Sequence, residues 1–359
     1  WIPYALSRSV ETHFPIDLSY TLDKPAGKHG FVKVDKDGRF VFEDGSSARF
    51  WGFQLSEPGK ESIPQYLDRC AKMGINCLRF HIRRQSGGPR IKEAIRKNGW
   101  GRFTPSDFFF AEAKKRGIYF DIGLDHHAYV SEKTEGDYAA RQAATPKGVI
   151  FIDVEIQELP KQRIRTFLEQ RNSLTGQRYM DEPALAFVEL YNENSLTTHM
   201  WGNVLNWPEP YRDKMKGMWN RWLLKQYKSR AGLAQAWTTC DGKCALHEDE
   251  DPAQGTVAMA DLHRGIKLAG TGWDREFAVD DEKMSAIRLN DMARFICEVE
   301  SSFYASMRAF LRKLGFRQPI FGTGYSFCPF GLKSQGVFDT IGIGSGPSGS
   351  AVFVGPEHD

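Results

Sequence analysis

Glu193 follows Asn192 at the end of an apolar run, residues 184–190, where Tyr191-Asn192-Glu193-Asn194-Ser195 gathers a carboxyl group and several hydrogen-bonding side chains. A run this apolar is the pattern of a parallel strand covered on both faces. The carboxyl ends of such strands are where α/β barrels carry their reactive groups. Glu193 is thus the candidate catalytic acid, although a carboxylate at a strand end can also serve only as a helix cap. In a second run, residues 75–82, Arg79 and His81 alternate onto one face. A third run, residues 117–124, ends in Asp125-His126-His127. Adjacent side chains diverge and neither His has a carboxylate four residues on, so the pair suits hydrogen bonds to hydroxyls better than a metal ion.

The elements that would hold these groups alternate along the chain. Residues 30–35 and 39–43, separated by Asp37-Gly38, carry a hairpin signal. They belong to an entry segment, residues 1–47, expected to cover one end of a larger domain spanning 48–359. Residues 48–55 read as a first strand. Residues 62–74 read as a helix, with Ser62 as cap, Pro64 in the first turn and Gly74 as stop. Further helices are expected at about 105–116 and 159–170, before the runs at 117–124 and 184–190. Strands alternating with helices predict a parallel sheet, hence an α/β barrel or a doubly wound fold. No Gly-rich dinucleotide loop follows the first strand, which argues against the second option.

Residues 197–280 read as an excursion in which one helical pattern covers 211–229 and continues through 233–237. Its acidic stretch His247-Glu248-Asp249-Glu250-Asp251 reads as a solvated face. Residues 280–315 predict one long helix with Phe295, Val299, Phe303, Met307, Phe310 and Leu314 as its apolar stripe. Residues 318–326, 336–343 and 350–355 read as fifth, sixth and seventh strands. The connection at 344–349 is too short for the crossover a seventh parallel strand needs. It also spells Gly-x-Gly-x-x-Gly, but too little chain follows for a phosphate-binding helix.

The 359 residues, 41% hydrophobic and 26% charged, suit one globular domain and leave no apolar run long enough for a membrane helix. A net charge of +3 without basic blocks gives no case for nucleic acid. Nine Trp and 13% aromatics suit stacking on sugars, and large cores use them too. Six Cys are too sparse for a disulfide framework. Cys70 and Cys77 read as buried thiols, and Cys240 and Cys244 could close a local disulfide in an exported protein. With His247 those two could mimic a zinc site, but a second ligand pair is lacking. No cofactor is expected, nor the Gly-x-Ser-x-Gly elbow of a serine esterase. The chain opens at Trp1 without a visible leader, so a removed signal or a trimmed start is expected, and with it a secreted or periplasmic location.

The strand ending in Asn192-Glu193 and the phrase Arg49-Phe-Trp51-Gly-Phe-Gln54 resemble the retaining glycosidase barrels of clan A, nearest to the family 5 cellulase-like enzymes. The resemblance implies a (β/α)8-type barrel, here incomplete at its C-terminal end with about six or seven strands and a helical insertion. It implies that Glu193 is the general acid/base, that Asn192 contacts a sugar 2-hydroxyl and that Arg79 braces the nucleophile. A salt-bridged interior Arg is the plain alternative for Arg79. Trp51, His81, His126, His127 and Tyr325 are the other expected substrate contacts. Retaining hydrolysis needs a second carboxylate about 5 Å from the first. Counting strands makes Glu357 the nucleophile candidate, close to the chain end and preceded by that short connection. The expected activity is endo-β-1,4-glucanase on a β-linked polysaccharide. The alternative is a weak or inactive carbohydrate-binding remnant. An unclosed barrel exposes sheet edges, so subunits are expected to associate over the gap.

Overall fold

In the computed structural model, the described residues are 17–54, 62–81, 100–101, 104–105, 107–124, 146–192, 194–196, 204–260, 266–269, 274–277, 285–324, 333–339, 341–345 and 350–354. Their centre is a five-stranded sheet. In chain order its strands are β1 (Gly52–Gln54), β2 (Cys77–His81), β3 (Tyr119–Gly123), β4 (Leu185–Glu189) and β5 (Ile320–Phe321). They lie side by side in that order, and every pairing is parallel.

The helices follow their start and stop signals. In α1 (Ile63–Lys72), Ser62 and Gln65 form a reciprocal capping box with Pro64 in the first turn. Gly74 follows with φ +73°, the left-handed conformation that ends a helix. Next comes α2 (Asp107–Lys115). Helix α3 (Val154–Glu169) starts about a turn earlier than its sequence suggests, because Asp153 accepts hydrogen bonds from the N–H groups of Glu155 and Ile156. Pro160 lies inside the helix at the cost of one backbone bond.

The excursion holds α4 (Tyr211–Tyr227) and α5 (Arg230–Ala236), two helices where the periodicity suggested one. Lys228 takes a left-handed φ of 68°, and the Ser229 hydroxyl caps the new helix through the N–H of Gly232. The long helix α6 (Ala286–Lys313) starts at a Ser285 cap and stops before Gly315 at φ +93°. Phe295, Val299, Phe303 and Met307 are buried along its stripe, and Phe310 and Leu314 pack at the margin.

The stretches expected as sixth and seventh strands take a different form. Ile341–Ser345 and Ser350–Val354 pair antiparallel with each other, outside the parallel sheet. A four-residue link makes a hairpin easily and cannot hold a crossover helix. The parallel sheet therefore has five strands among the described residues.

The entry segment pairs Val32–Val34 with Phe40–Phe42, as its Asp-Gly signal indicated. Phe42 stacks on Tyr119 at 5.6 Å, and Phe40 meets Phe187 edge-on at 4.9 Å. The hairpin thereby covers apolar rings of β3 and β4 on the side away from the strands' carboxyl ends. Cys70, Cys77, Cys240, Cys244 and Cys297 are free thiols, so the local Cys240–Cys244 bridge is not formed. No helix among the described residues is long and apolar enough to cross a membrane.

Candidate active site

Strand register brings the chemistry together. Arg79 pairs across to Asp121, and His81 pairs through Gly123 to Glu189. A register shift between Phe120 and Asp121 leaves Ala186 as an extra residue on β4, a bulge beside the polar groups. Gly123 is needed for steric reasons, since a Cβ there would run into His81 Nδ1.

Arg79 is the hub, with its side chain 25% exposed. Its Nη1 donates to Gln54 Oε1 at 2.5 Å, and its Nη2 donates to Asn192 Oδ1 at 3.0 Å. The same Nη2 is paired with Glu189 Oε2. Its Nε lies 3.6 Å from Asp121 Oδ2, close enough for ionic attraction but too far for a hydrogen bond. Glu189 is wholly buried, its Oε1 accepting the Gly324 N–H at 2.6 Å and its Oε2 lying 3.8 Å from His81 Nδ1. Asp121 is buried beside it. Burial, reinforced by the charge of Glu189 and opposed by Arg79, pushes its carboxyl up to about 7. Burial, with Asp121 nearby, also pushes the Cys77 thiol well above its usual range.

The residues flanking position 193 are anchored on both sides. Asn192 is held by Arg79. The Asn194 N–H donates to Thr323 Oγ1 at 3.3 Å, and its carbonyl accepts the Tyr304 hydroxyl at 3.2 Å. Further on, the Ser195 hydroxyl donates to Glu300 Oε1 at 2.6 Å, joined there by the Leu196 N–H. The Ser334 hydroxyl donates to Glu300 Oε2 at 2.7 Å. A fully buried carboxylate on α6 thus fastens the exit of β4 to Ser334. Burial, with Glu300 and Glu189 near, pushes the Tyr304 phenol well above its usual range and keeps it a donor.

Of the residues singled out from sequence, the structure gathers Arg79, His81 and Asn192 at one end of the sheet. Trp51 is not with them. It precedes β1 on the amino side, 69% exposed, and Gln54, three residues later, is the one that reaches Arg79. Glu193, His126, His127, Tyr325 and Glu357 lie outside the described residues. Sequence reasoning passed over Glu189, Asp121 and Glu300. The first two did leave a signal, a single acid inside an otherwise apolar strand, which is rarely buried unless paired.

This architecture, a parallel sheet flanked by helices with polar groups at the strands' carboxyl ends, is that of a TIM-type barrel, with five parallel strands among the described residues. The cold-adapted β-galactosidase from Rahnella sp. R3 superposes with a TM-score of 0.50 at 14% identity, over 82% of this chain and 39% of that one. No family model matches the chain. Sequence relatives carry the assignment further. Over 220 residues, 58% of this chain, it is 24% identical to mannan endo-1,4-beta-mannosidase 2 of Arabidopsis thaliana, covering 51% of that protein. Over 206 residues it is 25% identical to mannan endo-1,4-beta-mannosidase 5 of the same plant, covering 54% of this chain and 47% of that one. The chain is thus distantly similar to plant mannan endo-1,4-beta-mannosidases, and it spans about half the length of the curated relatives it matches.

Proposed function

We propose that this chain is a glycoside hydrolase acting on β-1,4-linked mannan, with Glu193 as general acid/base. The observation that carries the reading is the hydrogen bond from Arg79 to Asn192, the residue directly before Glu193, in a chain whose relatives are named mannan endo-1,4-beta-mannosidases. In the retaining reaction the acid protonates the glycosidic oxygen while a second carboxylate attacks the anomeric carbon. An acid held protonated near neutrality needs burial or a neighbouring negative charge. Glu189 and Asp121 are buried acidic groups that the described residues place at this end of the sheet, with Arg79 between them.

Mannan replaces the glucan expected from sequence, because the relatives' names point to mannan and none to cellulose. Reducing-end release from mannan, β-glucan, xylan and aryl glycosides tests the choice. Mannan is expected to exceed β-glucan by about tenfold or more, the scale of about 1.4 kcal/mol in discrimination. Equal or faster release from β-glucan would restore the glucanase reading.

One observation favours a second reading, a carbohydrate-binding remnant. The strand that precedes Glu357 pairs antiparallel outside the parallel sheet, so it does not carry the expected nucleophile into that sheet's carboxyl end. Binding of manno-oligosaccharide with no turnover would establish that reading. Association of subunits along the β1 edge is part of the proposal, supported by the exposure of Gly52, Gln54 and Trp51 there. A clean monomer by light scattering at micromolar concentration would remove it. Export from the cell fits a polymeric substrate, and finding the protein retained inside fractionated cells would count against it.

A further inference from the structure

Two buried carboxyl groups share one guanidinium at the sheet's carboxyl end, and they do not share it equally. Glu189 has the close ion pair with Nη2 and a second bond from the Gly324 N–H. Asp121, on the neighbouring strand, has the 3.6 Å approach of Nε to its Oδ2. Its Oδ1 has no hydrogen-bond partner among the described residues, although the side chain is 5% exposed. A buried ionised carboxylate without bonds is costly, whereas a protonated one is a neutral group with a donor of its own. Among the described residues, the charged and titratable groups facing Asp121 are Arg79 and Cys77 on β2 and Glu189 on β4, with His81 beyond, 3.8 Å from Glu189. From β1, the neutral Gln54 reaches the same guanidinium.

We propose that Asp121 is a positioning residue that acts through Arg79. Protonated, it leaves the guanidinium seated on Glu189 and Asn192, and ionised, it draws the Nε edge toward itself and slackens the Nη2 bond to Asn192. The inference rests on the glycosidase reading for its effect on catalysis, but the Asp121–Arg79 coupling stands apart from any substrate. Ionisation here is a simple loss of the Asp121 proton to solvent. The consequence is a seat for Asn192, and so for the residue after it, that loosens as pH rises through neutrality.

The direct test follows the Arg79 Nε–H resonance by two-dimensional NMR from about pH 5.5 to about pH 8.5, assigned through its loss in R79K, since Lys has no such group. The expected result is a shift with a midpoint near 7, the value to which Asp121 is pushed, and its disappearance in D121N. A resonance that stays still across this range, or titrates identically in D121N, overturns the proposal. The wild-type titration needs no variant and remains decisive if D121N fails to fold. The second readout is the alkaline limb of kcat on mannan. Removing a negative charge near the acid would by electrostatics alone lower the acid's pKa and move the limb to lower pH. The positioning role moves it to higher pH, by about one unit or more, a tenfold change in the proton concentration at half-activity. A limb that stays put or falls in D121N therefore contradicts the proposal. If wild type hydrolyses none of the polysaccharides, the reading of function fails while the resonance still decides the coupling.

Discussion

Arg288 and Arg79 are each partnered with a buried carboxylate, and they are partnered in opposite styles. Arg288 on α6 is 3% exposed and meets Glu250 with both Nη atoms, at 2.8 and 2.7 Å. It also donates to the carbonyls of Ala245 and Ala258 at 3.0 Å each and lies over the Trp237 ring at 5.0 Å. Glu250 takes the N–H groups of His247 and Ala258 as well. Burial alone would raise Glu250, but these bonds bring it below its usual value. One cation thus answers one anion, and together they pin residues 245–258 onto α6. At the sheet, Arg79 is spread over Gln54, Glu189 and Asn192, with Asp121 left at the fringe and carrying its proton into the neutral range. The closed pair holds the excursion in place. The open one leaves a charge unresolved where the strands end, as active sites do.

The contrast breaks most sharply at Arg288. Replacing it with Met leaves Glu250 buried without its partner, and chemical denaturation should show a loss of about 3–5 kcal/mol. Specific activity per folded molecule should hold, because no part of this pair touches the sheet's carboxyl end. A loss of activity without a loss of stability would reverse the roles given to the two arginines. R79K is the converse. Lys keeps the charge but lacks the planar fork that reaches Gln54 with one Nη and Glu189 and Asn192 with the other, so kcat/KM on mannan should fall about 100-fold, or about 2.7 kcal/mol. Stability should move less than in R288M. Activity within about twofold of wild type would leave Arg79 as an ordinary interior ion pair.

A smaller effect comes from pH. Glu250 has a lowered folded pKa, so its contribution is present above its unfolded value and is lost as pH falls through the folded one. Asp121 has a raised pKa. The unfolded chain releases that proton near pH 4 and the folded chain near 7, so stability drains away as pH rises between them and levels off above. Melting temperatures across this range should show E250Q flattening the acid limb of the wild-type curve and D121N flattening its decline toward neutrality. Both variants altering the same limb would mean the two carboxylates are not opposites.

Much of this frame was legible in the chain. The apolar runs at residues 75–82, 117–124 and 184–190 became β2, β3 and β4, and Ser62 with Gln65 and Gly74 bounded α1. Periodicity failed where one residue overrode it. Lys228 broke a continuous apolar pattern by turning left-handed, and Asp153 started α3 upstream of Pro160. The run His247-Glu248-Asp249-Glu250-Asp251 looked like a solvated face because its partner, Arg288, is distant in sequence. Glu250 was therefore misplaced, and only the fold brings that cation to it. For the site, Arg79 and Asn192 could be chosen from sequence because the family resemblance gives both a role. Glu189 and Asp121 had no such match, and their roles emerge only when the register sets them around one guanidinium. Trp51 shows the limit of a motif: its phrase marked the right strand, but the residue lies at the other end of it.

Exchanging Glu193 for Gln tests the assignment most directly, because it removes the transferable proton while keeping the side chain's size. Turnover of mannan by folded E193Q should fall by about 10²- to 10⁴-fold, the usual worth of a positioned general acid. Hydrolysis by E193Q at the wild-type rate would show that this end of the sheet is not where the sugar bond is broken.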